Sequence, residues 1–199
     1  MSSRGNDHRF LPDIKRIVDL LLSVTFLILC CWLLLPIVFA IKITSKGPVI
    51  YFSRRVGLGG RIYFMPKFRT MKVDTPEVAT DLLNSPDTHI TRVGRFLRKT
   101  SLDEMPQLWS VLVGDMSIVG PRPALDSQTD LTRKRMNLGI LSLRPGITGW
   151  AQINGRDMID DDEKIKLDLF YLEHRSTIFD AKIIMVTILR LFYDHEIRH

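Results

Sequence analysis

The sequence contains few of the residues from which disulfide frameworks and metal sites are usually built. It has two cysteines and five histidines among 199 residues. The cysteines, Cys30 and Cys31, are adjacent within an apolar run, so they cannot link distant parts of the fold, and no C-x-x-C pair indicates zinc. The histidines are scattered along the chain. A disulfide scaffold, a zinc site and a histidine-based catalytic triad therefore find no support.

Glycine loops of the nucleotide-binding type are also absent. The cluster Gly57–Gly60 contains neither G-K-[ST] nor G-x-G-x-x-G, so it indicates a turn rather than a phosphate loop. Short runs of β-branched and aromatic residues flank this cluster, which predicts a hairpin of short strands over residues 49–71. The polar segment 72–90 is predicted to be a surface loop.

One long hydrophobic run is present, from Leu20 to Ile41, and only Ser23, Thr25 and Pro36 interrupt it. A helix that rises ~1.5 Å per residue over this run is long enough to cross a hydrocarbon core of ~30 Å. We therefore expect a membrane-inserted helix over residues 14–42. The polar residues 1–13 before it are expected to be flexible.

Basic residues flank both ends of this run. Because basic residues favour the cytoplasmic side, we expect both ends there, which favours a re-entrant helix kinked at Pro36. A straight span stays open as the alternative. We expect salt bridges within the helix at its start, between Asp19 and the two basic residues before it. The flanking basic residues are Arg9, Lys15 and Arg16 on one side, and Lys42, Lys46, Arg54 and Arg55 on the other.

The formal net charge is +6. Nucleic acid, an anionic membrane surface and phosphorylated substrates are all possible partners of a basic protein. No recognisable nucleic-acid reader motif occurs, so we expect no nucleic-acid partner. Lipid and phosphate groups explain the charge better.

Two adjacent carboxylates, Asp103 and Glu104, follow a basic run that ends at Arg98 and Lys99. Ser101 and Glu104 fit the S-x-x-E capping box, which predicts a helix start. The exposed N–H groups of a helix start suit a phosphate or a carboxylate, and an ionised Asp there can act as nucleophile or metal ligand. The alternative is that both acids merely complement the helix dipole.

Further candidate residues follow in the second half of the chain. The prolines around Arg122 stiffen the backbone, and a fixed guanidinium suits phosphate binding. The glycine-rich loop from Arg144 to Arg156 can wrap a nucleotide, with amides such as Asn154 reading a base, and core packing is the favoured interpretation of its Trp150. Asp160–Asp162 match the D-x-D pattern of metal-dependent glycosyltransferases, although acids are also typical of a helix start, here over 161–174. In that helix Asp168 and Tyr171 share one face.

The order of these motifs resembles that of the small monotopic phosphoglycosyl transferases, the bacterial sugar transferase family. The resemblance covers about Lys15 to Tyr193 and rests on Lys67–Met71, Thr100–Gln107, Gly114–Ser117, Gly120–Pro123 and Arg144–Arg156. The family's re-entrant helix is typically broken at a Ser-Pro near its middle. This sequence departs from that pattern, because Pro36 sits late and follows Leu35.

The resemblance implies transfer of a phosphosugar from a UDP-sugar to undecaprenyl phosphate, which releases UMP and begins glycan assembly. It implies Asp103 as the nucleophile that carries the phosphosugar, Glu104 as a helper in proton or metal handling, and Mg²⁺ bound by Asp103, with Glu104 as a second candidate ligand. It implies that Lys67, Arg98 and Arg122 clamp phosphate oxygens, that Arg144, Asn154 and Arg156 line the nucleotide side, and that Asp168 supports the site.

The implied fold is a single α/β domain of α+β character with interfacial amphipathic helices, in which residues 43–199 form a cytoplasmic catalytic domain. The implied location is the cytoplasmic face of the bacterial inner membrane, in contact with lipids, and a homodimer is left open. Two other functions compete with this one. A direct glycosyltransferase would use Asp160–Asp162 and release UDP, and a non-catalytic membrane scaffold would not need Asp103.

Overall fold

The computed structural model describes residues 11–75, 86–155 and 159–193, so most of the predicted flexible segment 1–13 lies outside the described residues. Its elements confirm the predicted mixture of helices and short strands. The helices are α1 (Leu11–Thr44), α2 (Pro86–His89), α3 (Arg92–Lys99), α4 (Gln107–Val113), α5 (Thr129–Asn137), α6 (Trp150–Asn154), α7 (Asp161–His174) and α8 (Thr177–Tyr193). The strands are β1 (Ile50–Val56), β2 (Ile62–Phe68), β3 (Ser117–Val119) and β4 (Gly146–Thr148).

The predicted hairpin is formed by β1 and β2, which pair antiparallel with Arg55 opposite Tyr63 and Tyr51 opposite Lys67. Because side chains alternate along a strand, one face carries these four residues, and the other carries the exposed Phe52 and Phe64 and their neighbours. β3 and β4 form a second, parallel pair.

The apolar helix α1 contains 34 residues and continues through Pro36. It is long and apolar enough to cross a membrane, and no other helix of the described ranges meets that test. Both of its ends contact the rest of the protein: Asp19 is buried near its start, and Ile37 and Ile41 are buried near its end. These two isoleucines pack in a cluster with Phe68, Leu97 and Met105. Re-entry into one membrane face stays a prediction.

The expected salt bridges within the start of α1 are wrong. Lys15 instead donates to the Val119 carbonyl and pairs with Asp180 at 2.5 Å. The guanidinium of Arg16 donates to the carbonyls of Val111 and Leu112 at 2.6 and 3.0 Å. Asp19 accepts hydrogen bonds from the Ser117 hydroxyl and the Ile118 N–H. These charged groups therefore fasten α1 to the domain.

The predicted capping box at Ser101 is also wrong. Ser101 has a φ of 55° and makes no capping hydrogen bond with its side chain. A 3₁₀ turn, Leu102–Glu104, follows it, and α4 begins only after Pro106 and ends at Gly114, whose φ is 102°. The proline lacks the N–H that an earlier helix start would need. The two acids therefore lie on a tight turn before the helix.

The remaining helices pack behind this turn. α5 buries Leu131 and Arg135. α7 begins as predicted and buries Asp168 and Tyr171 on one face. Trp150 packs between Phe170 and Phe179, with ring centroids 5.7 and 4.9 Å away, so its predicted core role is confirmed. α8 exposes Ile178, Met185, Ile188 and Leu189, and its interfacial position stays a prediction.

Candidate active site

The centre of the site is an ion pair between the hairpin and the 3₁₀ turn. Lys67 projects from the inner face of β2, and its Nζ lies 2.8 Å from Glu104 Oε1. Burial alone would raise the pKa of Glu104, but the charges of Lys67 and Arg122 and hydrogen bonds from Lys67 and Gln107 outweigh it and hold this pKa at about 2. Glu104 is therefore an anion throughout the physiological pH range.

Asp103 lies on the same turn in a different electrostatic environment. Its exposed fraction is only 9%. Burial raises its pKa to about 6, the charge of Glu104 adds to this effect, and Lys67 and Arg98 oppose it. At neutral pH most of this carboxyl is ionised, and its raised basicity makes it a better nucleophile than an ordinary aspartate.

Arg98 is held beside Asp103 by the hairpin. Its Nε donates to the Thr70 hydroxyl at 2.9 Å. Burial lowers the pKa of Arg98, while the neighbouring Asp103 raises it. α3 reaches this position because Gly94 packs directly on the backbone of Thr70, where a Cβ would lie 2.0 Å from the carbonyl oxygen. Arg98 therefore belongs to the site and not to the solvated or lipid-facing side of α3.

A buried ion pair holds the backbone of Arg122. Arg135 Nη2 lies 2.6 Å from Asp168 Oδ2, and Arg135 Nη1 donates to the Arg122 carbonyl at 2.8 Å. The side chains of Arg135 and Asp168 are 4% and 2% exposed. Burial raises the pKa of Asp168, and the Arg135 charge opposes that rise. Asp168 therefore contacts Arg122 only indirectly, through Arg135.

A cleft lies beside the Lys67–Glu104 pair and Arg122, and its lining includes one cation that the sequence prediction missed. Its polar lining consists of Arg55, Lys67, Glu104, Gln107 and Arg122. Sequence reasoning took Arg55 for a boundary charge of the membrane helix. The signal that could have found it is the strand alternation, which places Arg55 on the same face of the hairpin as Lys67.

Other predicted residues lie away from this cleft. Arg144 Nε donates to the Gly114 carbonyl at the C-terminal end of α4, whereas the acidic turn precedes its N-terminal end. Asn154 is exposed and donates to the Trp150 carbonyl within its own helix. Arg156 lies outside the described residues. The structure does not bring Arg144 or Asn154 to the acidic turn, and a nucleotide-binding role for all three stays a prediction.

Each of the D-x-D carboxylates already has a partner within the protein. Asp160 caps α7 by accepting from the Glu163 N–H at 2.7 Å. Asp161 pairs with Lys164, and Asp162 pairs with Lys134. This arrangement supports the interpretation of these acids as a helix start rather than a metal site.

The acidic turn offers two carboxylates to a magnesium ion, and magnesium binding here stays a prediction. In phosphate-transferring sites Mg²⁺ is usually held by one or two carboxylates together with substrate phosphates. The Glu104 charge raises the pKa of Asp103, so a cation between them would relieve their repulsion. Lys67 engages Glu104 Oε1, which leaves Asp103 as the better ligand. Over the described ranges, no three His, Cys, Asp or Glu side chains cluster to bind a metal without substrate.

Comparison with known proteins shows the family of this chain. The model of the family described as bacterial sugar transferase matches residues 10–194. The chain belongs to the bacterial sugar transferase family. This family consists of transferases, so the enzyme class that the sequence predicted is confirmed.

Several curated members are similar over most of this chain. UDP-glucose:undecaprenyl-phosphate glucose-1-phosphate transferase of Escherichia coli is 40% identical over 90% of this chain and 40% of its own length. Undecaprenyl-phosphate galactose phosphotransferase of Salmonella typhimurium is 36% identical over 87% of this chain and 39% of its own. The uncharacterised sugar transferase EpsL of Bacillus subtilis is 38% identical over 93% and 90%. The chain therefore spans well under half of the first two relatives.

Proposed function

We propose that the protein transfers a sugar 1-phosphate from a UDP-sugar to undecaprenyl phosphate and releases UMP. Two relatives carry names that describe this type of transfer. The observation that carries the proposal is the buried Asp103 beside Glu104, surrounded by Lys67, Arg98 and Arg122. A nucleophilic carboxylate that must meet two anionic substrates needs such a concentration of cations.

The proposed reaction has two steps. In the first, a carboxylate oxygen of Asp103 attacks the sugar-bearing β-phosphorus. An oxygen–phosphorus bond forms, the bond from this phosphorus to the bridging oxygen breaks, and the electron pair leaves with UMP. In the second, an oxygen of the lipid phosphate attacks the same phosphorus and releases the Asp103 carboxylate.

The surrounding residues position and neutralise charge in both steps. Lys67 and Arg122 bind phosphate oxygens. The charge of Arg98 lowers the pKa of Asp103 and so favours its ionised form, and Glu104 holds the Lys67 ammonium in place. When bound at Asp103, Mg²⁺ would neutralise the diphosphate and orient the leaving group.

The apolar helix supports a membrane location for this reaction. Large apolar side chains along α1 are exposed, among them Leu29, Trp32, Leu35 and Phe39 at 65–79%. The same helix packs through Ile41 against Met105, which adjoins the acidic turn. We propose that α1 lies in the cytoplasmic leaflet of the bacterial inner membrane, which would place Asp103 within reach of a lipid phosphate.

Product analysis tests the proposal. The purified protein is incubated with Mg²⁺, undecaprenyl phosphate and a panel of UDP-sugars, and the released nucleotide is identified. We expect UMP from the wild type, none from Asp103→Ala, and wild-type release from Asp162→Asn. Release of UDP that is lost in Asp162→Asn would instead favour the D-x-D glycosyltransferase. Release of neither nucleotide across a broad panel would favour the scaffold.

A second experiment tests the covalent step separately. The wild type is mixed with a UDP-sugar whose β-phosphorus is ³²P, without the lipid acceptor, and is then denatured. We expect label on the protein at Asp103 and none on Asp103→Ala. UMP release without labelled protein would show direct transfer between the substrates and would contradict the aspartyl intermediate.

A further inference from the structure

We propose that Arg55 is a substrate-binding residue that holds the donor's diphosphate together with Arg122. This inference rests on the proposed function, because it assumes that the cleft binds a nucleoside diphosphate sugar. The first observation behind it is location. Arg55 lines the same cleft as Lys67, Glu104 and Arg122.

The hairpin register directs Arg55 to this place. Arg55 stands opposite Tyr63 on the inner face, four residue pairs along the hairpin from the Tyr51–Lys67 pair. Its neighbour Arg54 points to the other face, where it forms an exposed salt bridge with Asp126. Two adjacent arginines therefore have different surroundings, and only one of them faces the site.

The guanidinium of Arg55 is fixed before any substrate binds. Its Nε donates to the Ser53 hydroxyl at 3.0 Å, and its Nη1 donates to the Pro123 carbonyl at 3.1 Å. Pro123 directly follows Arg122, so one short loop holds both arginines. A guanidinium that is already oriented loses little conformational entropy when it binds a phosphate.

The charge balance of the cleft calls for an anion. Three of its lining side chains are cationic and one, Glu104, is anionic. Burial and the charge of Arg122 together lower the pKa of Arg55 to about 10, although Glu104 opposes this, so the two guanidiniums repel each other. Like charges at a partly buried site are unfavourable unless an anion lies between them. A diphosphate has the charge and the number of acceptor oxygens to do this.

A purely structural role for Arg55 makes a different prediction. Its hydrogen bonds to Ser53 and Pro123 also connect the hairpin to the loop that carries Arg122. If that connection were its whole function, Arg55→Lys and Arg55→Gln would disturb the loop alike, since neither reproduces the fork of an arginine. If it binds a phosphate, the positive charge of lysine retains part of the affinity.

Direct binding of UDP provides the test. We would titrate UDP, and UMP for comparison, into the wild type, Arg55→Gln, Arg55→Lys and the matched control Arg54→Gln, with Mg²⁺ and without lipid acceptor. We expect the Kd of UDP to rise by roughly tenfold to a hundredfold in Arg55→Gln, as for a lost charge-assisted hydrogen bond. The rise should be smaller in Arg55→Lys, smaller for UMP, and absent in Arg54→Gln.

Two results would overturn the inference: unchanged UDP affinity in Arg55→Gln, or equal losses in the glutamine and lysine variants. Thermal unfolding of each variant would show whether a loss of affinity accompanies a loss of fold. The measurement also separates this inference from the proposed reaction. A wild type that releases UMP while Arg55→Gln binds UDP normally contradicts only the role of Arg55. A wild type that binds UDP through Arg55 and releases no UMP contradicts only the reaction.

Discussion

Replacing Asp168 by alanine should destabilise the protein more strongly than removing any surface acid. The change leaves the Arg135 guanidinium, whose side chain is 4% exposed, without the carboxylate that lies 2.6 Å away. Breaking a buried ion pair from one side typically costs about 3–5 kcal/mol. A domain of this size loses roughly 2–4 °C of Tm per kcal/mol, so we expect a decrease of about 6–20 °C.

The same change should reduce UMP release beyond what unfolding explains. Arg135 donates to the Arg122 carbonyl at 2.8 Å, so an Arg135 that moves toward water also releases the Arg122 loop. The double variant Arg135→Met/Asp168→Leu removes both buried charges, and such replacements are often neutral or stabilising. We therefore expect it to recover most of the Tm while UMP release stays low, because the Arg122 carbonyl has lost its donor.

Asp162→Asn is the matched control. Asp162 lies on the same helix and pairs with Lys134 of the same partner helix, but both side chains are at least half exposed. Exposed pairs contribute little to stability, so this variant should unfold at the wild-type temperature. The reasoning would be refuted if Asp168→Ala unfolded within about 2 °C of the wild type, or if the double variant recovered full activity.

Three further predictions concern the turn and the packing around it. Gly94→Ala should lower the Tm far more than Gly139→Ala. A Cβ at residue 94 would lie 2.0 Å from the Thr70 carbonyl oxygen, whereas at Gly139 (φ +73°) only about 1 kcal/mol of backbone strain is expected. Carbon-13 NMR of the metal-free protein should show Asp103 titrating near pH 6, protonated below and ionised above. Lys67→Gln should move that titration to higher pH, since Lys67 lowers the pKa; an unchanged midpoint would contradict this. Asp19→Ala should cost about 1–3 kcal/mol in urea unfolding, because the Ile118 N–H loses its acceptor and the buried Ser117 hydroxyl loses one of two.

Local patterns predicted the elements whose signals are themselves local. The hairpin and the start of α7 at Asp160 depend on residues within a few positions of one another, and the structure confirms both. The acidic pair was predicted to begin a helix, whereas it lies on a 3₁₀ turn, and its role as a site stays a prediction. Pro106 decided its backbone, by removing the N–H that a helix beginning at Ser101 would have used.

Side chains whose partners lie far along the chain were not predictable in the same way. Lys15 pairs with Asp180, which lies 165 residues further along the chain. The sequence alone indicated only a partner within the same helix. Arg135 has charged neighbours in sequence, which is typical of a solvated helix face, yet it is the one arginine of α5 that is buried. Arg55 differs, because strand alternation places it on the same face of the hairpin as Lys67, although a basic residue after an apolar run equally fits a membrane boundary. For Lys15 and Arg135, tertiary contacts rather than periodicity determine the surroundings.

The contacts of α1 and α4 hold the apolar helix and the acidic turn at a fixed separation. Arg16 binds the carbonyls at the C-terminal end of α4, where the helix dipole favours a cation. The acidic turn precedes the other end of α4 and is packed, through Met105, on Ile41 of α1. Because α1 is joined to both ends of this short unit, a change in the depth of α1 must carry Asp103 with it. A lipid phosphate lies at a fixed depth in its membrane, so this connection would keep the nucleophile level with the acceptor without requiring a separate domain motion.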